Sequence, residues 1–329
     1  MNRAAAVKLK VARKESACGR VVFVDGLARS GKGLVLRILS HLKGGQHWQL
    51  QGSIQNMCFA HFLGGVTTEF AAGYIQCIVE ENTYNWIIGR NLNTRASDES
   101  CIHRAADAGE FIRRASEPDG WAAVEKFRAD GLFPVFDVHS TLRSAPLMFE
   151  ALPWAEYVHV VRHPVELAHR WHARGWGVRE IEDPLSFDLL IETPEGLVPW
   201  YAVDWAGRFL GLKPMERVVE GVLRLHADDD RGYQALGDKR KQVLRICFEH
   251  LVFDPDPAVA EISAFLKAPA LAPMRSMLAE ERCPRPNDLD ARRRTFDEIA
   301  KQIPADAAAR LHRAAKAHEA RWSLPTIVP

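Results

Sequence analysis

The sequence predicts an α/β fold, a mostly parallel sheet flanked by helices, and three observations carry that expectation. Short apolar runs recur at residues 21–24, 132–136, 157–161 and 243–248, each the length of a buried strand. A helical pattern follows each run and further helices fill the gaps, the rhythm of βαβ units. The first run passes into its helix through a glycine loop, Gly26-Leu27-Ala28-Arg29-Ser30-Gly31-Lys32-Gly33.

That loop is the most informative element of the chain. Glycines let the backbone turn its N–H groups inward as a nest, and the helix N-terminus adds partial positive charge. Arg29, Ser30 and Lys32 add side-chain donors, so Gly-x4-Gly-Lys between a strand and a helix predicts a phosphate-binding site. The Ser or Thr that often follows the lysine, and that ligates Mg²⁺ in many nucleotide-hydrolysing enzymes, is Gly33 here. An ordinary ATPase or GTPase is thereby disfavoured.

Residues 57–91, rich in small and aromatic side chains, read as a helical insertion after the first βα unit. Segments 199–210 and 214–225 read as two further helices, and 296–322 as a helical C-terminal tail. Stretches 116–120 and 228–238 read as surface loops within one domain spanning 20–329. Residues 1–19 are basic but lack the apolar core of a signal peptide, which suggests a flexible tail.

With 329 residues, 47% hydrophobic and 26% charged, the composition is that of a soluble globular protein. A formal net charge of +1 gives no global pull toward nucleic acid or an anionic membrane, so neither is an expected partner. No apolar run approaches the roughly 20 residues of a membrane span. The six cysteines have no metal-ligand spacing; free thiols and a cytoplasmic location are expected, with no metal.

The run 157–161 ends in Arg162-His163-Pro164, which places an arginine where ligands collect beyond the carboxyl ends of parallel strands. Pro164 suits the first turn of a helix. Arg170 lies two turns along it and could converge with Arg162 on one anion; pairing with surface carboxylates is the alternative for both.

These residues carry a resemblance. The loop 26–31 resembles the phosphosulfate-binding loop of sulfotransferases, commonly G-x-P-R-S-G-T-T. Residues 152–164 are similar to the family's strand and 3′-phosphate-binding turn. Phe248-Glu249-His250-Leu251-Val252-Phe253-Asp254-Pro255 is similar to its Y-E-D-L-V-x-D-P block. The resemblance implies a P-loop-like sheet and transfer of a sulfuryl group from 3′-phosphoadenosine 5′-phosphosulfate to a hydroxyl or amine. It puts Arg29, Ser30, Gly31, Lys32 and Gly33 at the phosphosulfate, with Lys32 also aiding the chemistry, and Arg162, with Arg170, at the 3′-phosphate. His139, in Asp137-Val138-His139, takes the place of the family's histidine base, with a cap on the following helix as the alternative, and His47 is the reserve. Metal-free transfer is physically reasonable, since fixed cations and N–H donors can stabilise the transition state.

The chain also departs from the family. Lys32-Gly33 replaces a threonine pair, Asp137 a lysine and Arg170 a serine, while Arg292-Arg293-Arg294 reads either as a counterpart of its C-terminal basic segment or as an exposed basic helix start. Lys32 could supply the charge lost at Asp137. Two other readings stay open. A kinase for a nucleotide or small molecule would use Asp137 to hold Mg²⁺ through water; a relic would bind nucleotide without turnover. Core packing accounts for most aromatics of the insertion; where they line a substrate, they suggest an acceptor with an apolar or ring-containing part, such as a sugar, phenol or lipid-linked hydroxyl. The sequence leaves the acceptor itself and the oligomeric state open.

Overall fold

The computed structural model describes residues 11, 12, 16 and 19–327. Apart from 11, 12, 16 and 19, the tail expected over 1–19 lies outside them. Five strands form the main sheet: β1 (Val22–Asp25), β2 (Gln49–Leu50), β3 (Val135–Asp137), β4 (Glu156–Val161) and β7 (Val243–Cys247). Their order is β2-β3-β1-β4-β7 and every pair is parallel. The expected α/β fold is therefore present. The remaining strands, β5 (Leu190–Thr193) and β6 (Gly196–Pro199), pair as an antiparallel hairpin.

Helices cover both faces, so the central strand is apolar on both. Alternate residues of β1 enter different cores. Phe23 meets the rings of Phe136 and Tyr157 at 5.8 and 5.1 Å, beneath α2 (Gly52–Phe62) and α3 (Thr68–Ile87). Val22 and Val24 pack on the other face with Val35, Ile38 and Leu39 of α1 (Lys32–Ser40). α2 and α3 form the helical insertion that the aromatic-rich segment predicts.

Two expectations need correction. Segment 228–238 is not a loop: the helix Pro214–Ala235 continues to Ala235, with Asp229 and Gly232 buried, and a 3-10 turn follows. Its charged run reads as solvated, but Asp228 and Asp229 turn inward to Arg143 and His159, and Asp230, half exposed, pairs with Arg245. Segment 199–210 is not one helix. Pro199 ends β6, Trp200–Trp205 is a 3-10 turn and only Ala206–Gly211 is α-helical. The expected helical C-terminal tail is present as two helices, Leu289–Ala300 and Ala305–Arg321. The described cysteines Cys58, Cys77, Cys101, Cys247 and Cys283 are all free. Among the described residues, no helix is long and apolar enough to cross a membrane.

Candidate active site

β1 ends at Asp25 between β3 and β4, so the loop that follows opens at the carboxyl edge of the sheet where neighbours diverge. Two glycines shape it. Gly26 has φ 142° and passes so close to β4 that a Cβ would stand 2.5 Å from the Val160 carbonyl. Gly31, at φ 102°, lies against the Phe248 ring, 2.1 Å from where a Cβ would be. Arg29 is also left-handed, at φ 66°. Gly31→Ala is expected to destabilise the fold by at least about 1–2 kcal/mol from backbone conformation alone, read by urea denaturation; unchanged stability would show that the loop rearranges freely.

Lys32 opens α1 and is buried. Its ammonium donates to the Gly26 carbonyl at 3.1 Å and faces Asp137 Oδ1 at 3.5 Å. Burial lowers the Lys32 pKa, and Asp137 and Asp25 oppose that; burial raises the Asp137 pKa, and Lys32 opposes it. Lys32 thus bridges the loop and the end of β3, with its ammonium paired to Asp137. Gly33 leaves room for another group: a Cβ there would lie 2.9 Å from Glu99 Oε2. Nothing in the sequence drew attention to Glu99.

Past β3 the chain turns through Val138, His139 and Ser140, the last left-handed at φ 53°. Ser140 N–H donates to the Gly26 carbonyl at 3.4 Å, and His139 N–H donates to Gln55 Oε1 of α2 at 3.0 Å. Burial, then the charge of Lys32, holds the His139 pKa well below its ordinary value, which keeps the imidazole neutral. His47 is elsewhere. It comes two residues before Gln49, which pairs with Phe136, and its ring packs on Trp48 at 4.2 Å. Its charged neighbours Arg37 and His41 belong to the far end of α1, and burial lowers its pKa to about 4.

Arg162 is buried where β4 ends. Its Nη1 donates to the Arg29 carbonyl at 3.0 Å, its Nη2 to Glu166 at 3.3 Å, and it stacks over Phe248 at 4.3 Å. Glu166 also accepts from Arg292 Nε. Only this member of the basic triplet reaches the site; Arg293 pairs with Asp290 and Arg294 is exposed. Glu249, fully buried, accepts the His163 N–H at 3.0 Å and so fixes the turn after β4. The helix Pro164–His172 follows, with Arg170 exposed upon it.

The structure therefore gathers Arg29, Ser30, Gly31, Lys32, Gly33 and Arg162 at one end of the sheet, with His139 on the neighbouring strand end. Ser30 Oγ, Arg162 Nε and His139 Nδ1 are buried with no hydrogen-bond partner among the described residues. Buried polar atoms rarely stay unpartnered. Together with a helix N-terminus that lacks a side-chain cap, they fit a bound oxyanion with donors to spare.

A comparison with protein-family models returned no match, nor did one with curated proteins. Solved structures do resemble the chain. The sulfotransferase domain from the curacin biosynthetic pathway is similar over 95% of this chain and 99% of that one, at 12% identity and a TM-score of 0.47. The sulfotransferase domain of the Synechococcus PCC 7002 olefin synthase is similar over 91% and 94%, at 16% identity and a TM-score of 0.41. The sulfotransferase from Alicyclobacillus acidocaldarius is similar over 90% and 95%, at 16% identity and a TM-score of 0.36. The functional reading rests on the site's own residues.

Proposed function

We propose that the protein is a sulfotransferase that uses 3′-phosphoadenosine 5′-phosphosulfate as donor and a hydroxyl or amine as acceptor. The observation that carries this reading is the direct bond between the arginine turn and the glycine loop, Arg162 Nη1 to the Arg29 carbonyl at 3.0 Å. That bond supports the reading by holding the arginine turn against the glycine loop, the two elements that a nucleotide phosphorylated at both 3′ and 5′ positions would need together. In this reading the loop N–H groups, Arg29, Ser30 and Lys32 hold the phosphosulfate, with Gly33 contributing its backbone at the helix start. Arg162, with Arg170, takes the 3′-phosphate. His139 accepts the acceptor's proton as the acceptor oxygen or nitrogen bonds to sulfur. The bridging oxygen departs with the 5′-phosphate, and Lys32 and the loop amides stabilise the charge it gains.

Calorimetric titration with adenosine 3′,5′-bisphosphate and with ATP, each with and without Mg²⁺, tests the donor. Metal-independent binding of the bisphosphate, tighter than ATP, is expected. Mg²⁺-dependent ATP binding without preference for a 3′-phosphate would overturn the reading in favour of a kinase. Arg162→Ala should weaken the bisphosphate by about tenfold or more, the loss of a charged hydrogen bond, and affect ATP less. Equal losses for both nucleotides would make Arg162 only a brace for the loop.

A further inference from the structure

The helix that carries Arg170 returns to the glycine loop at its far end. The Trp171 indole N–H donates to the Ala28 carbonyl at 2.6 Å, and Ala28 directly precedes Arg29. Trp171 thus ties the end of this helix and the turn after it to the loop, and three arginines flank that anchor in the sequence: Arg170, Arg174 and Arg179. Arg170 and Arg174 are exposed, and neither pairs with a carboxylate among the described residues. Arg179 meets Asp183 at 3.0 Å and lies 5.7 Å from the Trp176 ring, which stacks on Trp171 at 5.4 Å.

The turn that presents them is rigidly built. Gly177 N–H donates to both oxygens of buried Glu180, at 3.0 and 2.8 Å, and the Tyr201 hydroxyl donates to the same carboxylate at 2.8 Å. Arg217 Nη1 donates to the Gly177 carbonyl at 3.0 Å. Gly177 itself has φ 95° and leaves no space for a Cβ against Pro214. The electrostatics agree with the geometry: burial, then Arg174, and further Arg179 and Arg170, lower the Arg29 pKa, and Glu99 opposes them.

Several guanidiniums gathered on one face repel one another until an anion arrives. Guanidinium forks suit carboxylate, phosphate and sulfate groups in particular. Arg29, Arg162 and Arg170 have roles at the donor in the function proposed above, on which this step rests. Arg174 and Arg179 have none. We propose that Arg174 and Arg179, sharing Arg29 with the donor, form an anion subsite for the acceptor. The acceptor then carries a carboxylate, phosphate or sulfate near the hydroxyl or amine that receives the sulfuryl group.

The test uses the whole protein saturated with adenosine 3′,5′-bisphosphate and titrated calorimetrically with inorganic sulfate as the anion probe. Sulfate should bind this complex, and Arg174→Gln with Arg179→Gln should weaken it by about tenfold or more. Bisphosphate affinity should be unchanged in that double variant. Loss of bisphosphate affinity would return these arginines to the donor site and overturn the subsite. Sulfate that fails to bind, or binds equally to both proteins, would also overturn it. Failure of the bisphosphate to bind the unaltered protein would instead remove the sulfotransferase reading beneath it.

Discussion

His139→Ala is expected to lower turnover by about 10²–10⁴-fold, the contribution of a placed general base, while leaving adenosine 3′,5′-bisphosphate affinity unchanged. The ring follows directly from β3, and its backbone N–H is held by Gln55. Its buried Nδ1 has no partner among the described residues. Burial and the charge of Lys32 lower its pKa, so the basic form persists below the ordinary histidine range. The sign follows from this. Activity that needs neutral imidazole is present above that pKa and lost as pH falls through it. The acidic limb of kcat/KM for the free protein should therefore lie below about 6.5, the unperturbed value, and should be absent from any residual activity of His139→Ala. Turnover retained in the variant would move the base elsewhere. Glu99 would then be tested next, since its carboxylate approaches Gly33.

The parts of this site that were legible in the sequence are those in which backbone and side chain carry one message. The apolar runs at β1, β3, β4 and β7 are buried on both faces, and the glycine loop requires its glycines sterically. The three resembling blocks also have a physical reason to occur together. Phe248 packs on Gly31 of the first and on Arg162 of the second, while Glu249 holds the His163 N–H. What stayed hidden depends on contacts between segments far apart in sequence. β2 is only two residues long and gives no apolar run. Gln55, Glu99 and Glu166 are ordinary polar residues until the fold places them beside His139, Gly33 and the Arg162–Arg292 pair. The acidic run 228–230 misled for the same reason. Charge in a helix looks solvated unless the cations that meet it, Arg143 and Arg245, are known to face inward.

Asp25→Asn is expected to lower stability by about 3–5 kcal/mol at neutral pH, the cost of breaking a buried charge network. Asp25 is fully buried at the end of β1. Its two oxygens accept the N–H groups of Thr141 and Leu142 at 2.9 and 3.0 Å, and Oδ2 also faces His159 Nδ1 at 3.0 Å. Burial raises the Asp25 pKa, but the hydrogen bond and charge of His159, with Lys32 and the Thr141 N–H, outweigh it and hold the pKa at about 2. Burial keeps His159 below its ordinary pKa and Asp229, opposite its other nitrogen, well above the carboxylate range. An asparagine amide in place of the Asp25 carboxylate would turn an NH₂ toward the backbone donors of Thr141 and Leu142. Because the folded pKa is depressed from 3.8, the stabilisation is complete above that value and is lost as pH falls through about 2. Urea denaturation of both proteins across this range should show their difference shrinking as the carboxylate protonates. A difference that stays constant down to the lowest pH would mean that the charge of Asp25 contributes nothing, and that only its shape holds the Thr141–Leu142 turn beside the proposed base.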